Sequence, residues 1–574
     1  MKKTNSLFNP QNIFILCEFC IIIFTIFLLI NRIHYGIDFT DESWYVAEPY
    51  IVATEGFVPF ADVWNQAPGF TIPLAVVFKL FVNITKGTEG IMLFSRLIFV
   101  IWICLIGLLY YVLLKKQQQE TPILVCLFSL AGIACAFLFD INYNTIGLLY
   151  VFLVLLLLFS DFKNQTSKKL FLHGLLGGVI ISRSVLGTPV TLLACLIFVF
   201  LLLYKKDWNI LFGFLTGIGL SIIIFFSYII LSNHSLSSVF YGLEQTIKEG
   251  SYFKIPELVS WKDNIKYFLS FLYPFFVFTI LITSTYLIFK EKPTAKLLFL
   301  TLVFFFIGII KKDICRWGWF ESIYIYILLK NNNDKRKLIF IPLFVTLIYF
   351  SLYIFASITN VYGFGAKIFY FWFPTYMSFL SLFYCIDNHY FKIITFSLGI
   401  ITISSILLYN SYSNIYRDER IYDLSTVVNK GIWKGCISTQ RRAVDVVEVE
   451  DQIRQLTHED DYCLFLDWAS FGYLMTKSTA CSPTTLDCFH YTYRVNNPKM
   501  LYNYFKIKER LPNKIIYIDY GRDNHVSLYE KEWAFNEFVH SFYKQEYVFK
   551  NETFKVIGLA ITDEAKAKKY IFDR

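Results

Sequence analysis

The chain has 574 residues, 56% of them apolar and 19% aromatic but only 17% charged, with a formal net charge of +9. A soluble domain carries about 25% charged residues, and 61 Phe with 39 Tyr is more apolar surface than a solvated coil exposes. An ordinary soluble protein and a disordered chain are both excluded, and what remains is a mainly α, polytopic membrane protein whose first partner is the lipid bilayer. The net charge gives no ground for nucleic-acid binding, because much of it lies in short loops between apolar runs.

Taken in chain order, apolar runs predict about thirteen spans. They cover Ile13–Ile30, Ile91–Leu114, Ile123–Phe139, Ile146–Phe159, Leu170–Ser182, Pro189–Tyr204 and Ile210–Leu231, then Tyr267–Phe289, Leu297–Ile310, Trp317–Leu329, Leu338–Ala356, Ile368–Ile386 and Ile393–Tyr409. Several are shorter than the ~20 residues a helix needs to cross the hydrocarbon and require burial by neighbours. Leu297–Ile310 and Trp317–Leu329 are the weakest and are open to a re-entrant hairpin, which leaves the sides of all other loops unchanged.

The short loops carrying Lys2/Lys3, Lys115/Lys116, Lys168/Lys169, Lys205/Lys206, Lys290/Lys292 and Lys335/Arg336/Lys337 fall on one side in this count. The positive-inside rule makes that side cytoplasmic. The expected protein is therefore a multi-pass inner or plasma membrane protein with its N-terminus inside and three polar segments outside. These are the loops 31–71 and 232–266 and a C-terminal unit, 410–574, beyond the transmembrane domain of 1–409. The C-terminal unit has a different composition. Ala443–Leu456 and Lys531–Tyr543 read as helices, and Tyr462–Asp467 and Lys514–Tyr520 as buried strands, which together predict a small extracytoplasmic α/β domain. Cys481 and Cys488 are near enough in sequence to pair, but spacing leaves that open.

Polar residues concentrate in the first outer loop, where Asp38-Phe-Thr-Asp41-Glu42-Ser-Trp-Tyr45 is followed by Glu55-Gly-Phe-Val-Pro-Phe-Ala-Asp62-Val-Trp-Asn65-Gln66-Ala-Pro-Gly69. Read from composition alone, the Asp41–Glu42 pair is either a solvated acidic loop or a functional carboxylate pair kept near the membrane despite its cost. The cluster Lys311, Lys312 and Arg316, with Arg183 at the outer end of another span, lies on the side where few cations are expected. An anionic headgroup accounts for it, through charge and, for Arg, bidentate donation. Snorkelling to ordinary anionic lipids is the alternative. The isolated His34 and His234 read as hydrogen-bonded structural residues.

The loop motif, continued by Phe78-Lys-Leu-Phe81 and Arg96-Leu97, resembles the first outer loop and second span of the GT-C glycosyltransferases. Within them it is most similar to the branch of protein O-mannosyltransferases and lipid A aminoarabinose transferases. The specific match covers Asp38–Lys116, and the family's Lys-Pro-Pro-Gly is replaced here by Gln66-Ala67-Pro68-Gly69, without the lysine. The resemblance implies an inverting transfer of a sugar from a polyprenyl-phosphate donor to a glycan, lipid or protein acceptor on the outer face. It implies Asp41 as catalytic base or acceptor-orienting group, with Glu42 beside it, and Asp140 as a second acid, although without the first motif Asp140 reads rather as a helix-end charge meeting water. Lys311, Lys312, Arg316 and Arg183 would hold the donor phosphate, with Tyr324 near them. Tyr45, Asn65 and Gln66 in the first loop, and Tyr241 and Tyr252 in the 232–266 loop, would face acceptor or donor, though that second loop reads equally as an interfacial helix. The first loop has no Asp-x-Asp, so no divalent metal and no cofactor are expected. Two other functions remain open from sequence: a polymerase or ligase using diphosphate-linked oligosaccharides, and a flippase or transporter of the same lipids.

Overall fold

A computed structural model gives the arrangement of residues 10–64, 68–116, 165–185, 189–232, 234–249, 417–485, 498–521 and 533–572, with isolated positions between them. Apart from such single positions, the predicted spans over 123–159 and 267–409 lie outside the described residues.

The described helices of the N-terminal part are α1 (Pro10–Arg32), α2 (Asp41–Glu55), α3 (Pro68–Thr85), α4 (Ile91–Lys116), α5 (Ser167–Val185), α6 (Pro189–Lys205), α7 (Trp208–Leu231) and α8 (Leu236–Glu249). By length and composition Ile91–Leu113 and Trp208–Leu231 are able to cross a membrane. They present large apolar residues outward, among them Ile101, Leu105 and Leu108 of α4 and Phe212, Ile223 and Leu231 of α7. Water disfavours such faces, and lipid tails accommodate them.

Helices α5 and α7 run side by side in close backbone contact. A Cβ on Gly174 would meet the Ile210 carbonyl, one on Gly178 the Phe214 carbonyl, one on Gly213 the Phe171 carbonyl and one on Gly217 the Leu175 carbonyl. Both helices thus carry a small-xxx-small pair on the facing side, the pattern that lets helices touch inside a membrane. The numbers rise together across the contact, so the two helices are parallel. That is what two spans separated by a third should be.

The sequence reading has no helix over 68–85, and α3 corrects it. Its two ends meet the same body. Before it, the Trp64 amide donates to the Pro483 carbonyl at 2.6 Å, and after it the Gly90 amide donates to the Gly431 carbonyl at 2.9 Å. The helix leaves and returns on one side and makes no crossing, while Val76, Leu80 and Ile84 form an exposed stripe at four-residue spacing. Such a helix lies along an interface with its apolar face down.

The C-terminal residues build a short β1–β2 pair (Thr426–Val427, Ile437–Ser438) and the helix α9 (Gln440–Leu456), then β3 (Tyr462–Leu466), α10 (Gly472–Met475), β4 (Thr479–Ala480) and α11 (Lys499–Lys508). After these come β5 (Lys514–Asp519), α12 (Ala534–Phe542), β6 (Tyr543–Lys550), β7 (Lys555–Ile561) and α13 (Glu564–Phe572). Five strands form one sheet in the order β4-β3-β5-β7-β6. β3 pairs in parallel with β4 and β5, and β7 is antiparallel to β5 and β6. Because side chains alternate along a strand, Phe465, Ile516, Ile518 and Val556 pack toward α9 and the first loop, and Leu464, Leu466, Ile515, Tyr517 and Leu559 toward α11, α12 and α13. The helix expected over Lys531–Tyr543 stops one residue earlier, since Tyr543 pairs with Ile561 at the start of the β6–β7 hairpin.

Candidate functional site

The C-terminal unit is joined to the first loop by main-chain bonds. Gly36 N–H donates to the Ile437 carbonyl at 2.8 Å, and Ile437 N–H donates to the His34 carbonyl at 2.6 Å. His34 Nδ1 lies 3.1 Å from the Gly435 carbonyl, the structural role read for it. Ile37 N–H donates to Asp418 at 2.8 Å, and Ser438 and Arg442 donate to the same carboxylate. Phe39 enters a cluster of Trp433, Phe471, Tyr520 and Phe554, with ring centroids 5.0–5.5 Å away. The Arg442 guanidinium sits 4.8 Å over the Phe39 ring.

Asp41 and Glu42 open α2. Asp38, just before the helix, accepts from the amide and hydroxyl of Thr40 at 3.0 and 2.8 Å and from the Glu42 amide at 3.0 Å. It thereby caps the first turn, where a negative charge favours the helix. Burial, with the Asp41 charge nearby, pushes the Asp38 carboxyl above its ordinary range, against the pull of Arg417 and the donors. Glu42 is buried and clasped by Arg96, Nε to Oε1 at 2.5 Å and Nη2 to Oε2 at 2.8 Å. Arg96 spends its other donors on the carbonyls of Ile33 and Gly36. The pair ties α4 to the loop and to α2. Asp41, by contrast, keeps a quarter of its side chain exposed, and its Oδ2 lies 3.1 Å from Arg417 Nη2. Nη1 of the same guanidinium is 3.7 Å from Asp38.

Farther along the loop, Asp62 accepts from the Val58 amide at 2.6 Å and pairs with Lys508 of α11 and with His234, 3.0 Å away. Gly242 of α8 is pressed against the Phe60 carbonyl, where a Cβ would not fit. Tyr241 packs edge-on against Trp64 at 5.9 Å, and Trp64 in turn against Tyr504 at 5.8 Å. The loop before α3 is thus wedged between α8 and the C-terminal unit. Glu55, closing α2, accepts from the Ala480 amide at 3.0 Å, and burial raises its carboxyl to about 8, partly offset by that bond and by Arg510.

Of the expected site residues, Asp41 and Glu42 sit together at the α2 N-terminus, and the Tyr45 ring lies tilted against that of Trp44, centroids 4.6 Å apart, a few residues on. Tyr241 reaches the C-terminal unit through Trp64. Half-buried Arg183 ends α5, where its carbonyl lies against Gly69 at the start of α3. Its guanidinium lies within electrostatic reach of Tyr150, whose ring stacks on Phe70 at 5.9 Å. The described contacts place Asp41 and Arg183 in no common cluster. Asn65, Gln66, Asp140, Tyr252, Lys311, Lys312, Arg316 and Tyr324 lie outside the described residues, as does Cys488, whose pairing with the buried Cys481 the sequence leaves open. Sequence reasoning missed Asp38 and Arg417. Asp38 carried a local signal, a carboxylate just before a helix start, but nothing local announces a contact between segments such as Ile37 and Asp418, 381 residues apart.

No family model matches the chain, and no curated protein does. Among solved structures, the crystal structure of ArnT from Cupriavidus metallidurans bound to undecaprenyl phosphate superposes with a TM-score of 0.40 at 11% identity, over 96% of this chain and 98% of that one. That likeness carries no residue's role from the one protein to the other.

Proposed function

We propose that the chain is a membrane glycosyltransferase that moves a sugar from a polyprenyl-phosphate donor to an acceptor hydroxyl or amide at the boundary between the helices and the C-terminal unit, with inversion at the sugar carbon. The observation that carries this reading is the position of Asp41. Within the loop that resembles the GT-C motif, it is the one of the two adjacent acids left partly open, at the N-terminus of a helix anchored by the Glu42–Arg96 pair.

In the proposed step the acceptor nucleophile forms its bond to the anomeric carbon as the bond from that carbon to the phosphate oxygen breaks. The acceptor proton goes to the Asp41 carboxylate, and polyprenyl phosphate departs carrying the electron pair. A positioned carboxylate contributes typically 10²–10⁴-fold to such a proton transfer, and cations beside the leaving phosphate stabilise the charge that grows there. Arg183, Lys311, Lys312 and Arg316 are the residues we assign to that second task.

The test is Asp41→Asn in membranes supplied with a tritiated polyprenyl-phosphate hexose. Turnover should fall by about 10²–10⁴-fold with protein abundance unchanged. Wild-type turnover by the Asn variant removes Asp41 from the mechanism. Liposomes distinguish the transporter: purified chain that transfers no sugar but accelerates movement of the lipid-linked sugar across the bilayer is a flippase.

A further inference from the structure

We propose that Arg417, supplied by the C-terminal unit, is the positioning residue for Asp41, so that the base is aimed only when that unit is docked. This rests on the reading of Asp41 as the base. One guanidinium bridges two carboxylates of the first loop, at 3.1 Å from Asp41 and 3.7 Å from Asp38. The two ends differ in kind. Asp38 is buried, with its oxygens held by Thr40 and the Glu42 amide, and serves as a fixed post, whereas Asp41 and Arg417 are each a quarter exposed and so remain open to solvent. An ion pair on one carboxylate oxygen sets the plane and tilt of the group, and a base has to direct a lone pair at the acceptor proton within a narrow range of angles.

Arg417 is itself held more firmly than an exposed surface arginine. Its backbone is in the left-handed region, φ +56°, a strained conformation for a residue with a side chain and one found where the surroundings over-determine it. Its carbonyl accepts from Arg442 at 2.9 Å, and the next residue, Asp418, receives bonds from Ile37, Ser438 and Arg442. The strained residue is therefore clamped against the loop that presents Asp41, and Arg442 reaches Phe39, the Arg417 carbonyl and the Asp418 carboxylate. A salt bridge needed only for docking would have no use for this strain, since Asp418 already joins the two parts.

The experiment uses the full chain in membrane vesicles with a tritiated polyprenyl-phosphate hexose, scoring label released to water or to any acceptor. Arg417→Gln should lower the rate at saturating donor by about 10²-fold, the scale of a misplaced catalytic group, with half-saturation unchanged and the variant eluting and melting as the parent does. Arg417→Lys, which is unable to bridge both carboxylates, should recover part of the rate, and millimolar guanidinium should restore part of it to Arg417→Ala. Asp38→Asn should show a similar loss, and the pair with Arg417→Gln little more than either alone, because Asp38 acts through Arg417. Full rate in Arg417→Gln beside a dead Asp41→Asn overturns the inference and leaves the base in place. A loss that guanidinium does not relieve and that tracks loss of folded protein makes Arg417 a docking residue only. Full rate in Asp41→Asn, or no transfer by the wild-type chain, takes down the reading and the inference together.

Discussion

Asp41 and Glu42, adjacent on the first turn of α2, are held by cations from different parts of the chain, and the difference separates their expected phenotypes. Glu42 and Arg96 are both about 5% exposed and bidentate. Removing one partner leaves a buried, uncompensated charge, a loss of about 3–5 kcal/mol. Glu42→Gln should therefore appear as less folded protein on size-exclusion chromatography, whereas Asp41→Asn should appear as lost turnover at normal abundance. Glu55 gives a pH signature. Its carboxyl, ordinarily near 4.5, is raised to about 8 in the folded chain, so between those values the folded protein holds a proton that the unfolded chain releases. The stability it contributes is complete below about pH 4.5 and is lost as pH rises through about 8. Glu55→Gln keeps an acceptor for the Ala480 amide and removes the titration. Melting in detergent from about pH 5 to pH 9 should fall less steeply for the variant than for the parent, and parallel curves would show that Glu55 does not titrate there.

At the scale of elements, the contact between α5 and α7 depends on what their glycines lack. A side chain at Gly178 meets the Phe214 carbonyl and the Gly217 α-carbon, and one at Gly213 meets the Phe171 carbonyl. Main-chain atoms are poorly able to move aside, so the helices have to separate. Gly178→Leu should destabilise the protein by at least the ~1–3 kcal/mol typical of an overpacked core, read as a lower detergent melting temperature. A control on α7, Gly219→Leu, where a Cβ meets nothing within 4 Å, should have little effect. Helix α3 makes the complementary point. Its apolar run resembles a short span, yet the bonds at Trp64 and Gly90 return both ends to the C-terminal unit, and hydropathy does not register where a helix ends in space.

For the whole molecule, the end of α1, both ends of α3, the start of α4 and the end of α7 meet one body formed by the C-terminal unit and the loop before α3. The bonds are those of His34 and Gly36, of Trp64 and Pro483, and of Met92 with Ile432, and Ile229 packs with Phe60 and Val239. These ends therefore share one side of the helices, and the expectation from loop charge is that this side faces the exterior. A reporter active only outside the cytoplasm should work when fused after Asn410 and fail at Lys335, and an active cytoplasmic reporter after Asn410 would reverse the orientation of the site. The same packing explains why the C-terminal residues are more than an appendage. Phe39 from the first loop lies among Trp433, Phe471 and Phe554, so separating the unit would uncover an aromatic cluster and withdraw Arg417 from Asp41.

Much was legible in the sequence because it depends on neighbours along the chain. Hydropathy located α1, α4, α5, α6 and α7 to within a few residues, since each needs only its own apolar run and its own main-chain bonds. Period and composition gave α9, β3 and β5 for similar reasons, and the acidic start of α2 stood out as a charge near apolar segments. Pairing across hundreds of residues was not legible. The choice of Arg96 for Glu42 and of Arg417 for Asp41 and Asp38, and the antiparallel β6–β7 hairpin that ends α12 at Phe542, follow from which surfaces meet. An isolated arginine in a loop has the same local sequence whether it faces water or a carboxylate, and only tertiary packing, by excluding water from some partners and leaving others partly open, makes Glu42 a buried anchor and leaves its neighbour Asp41 partly exposed.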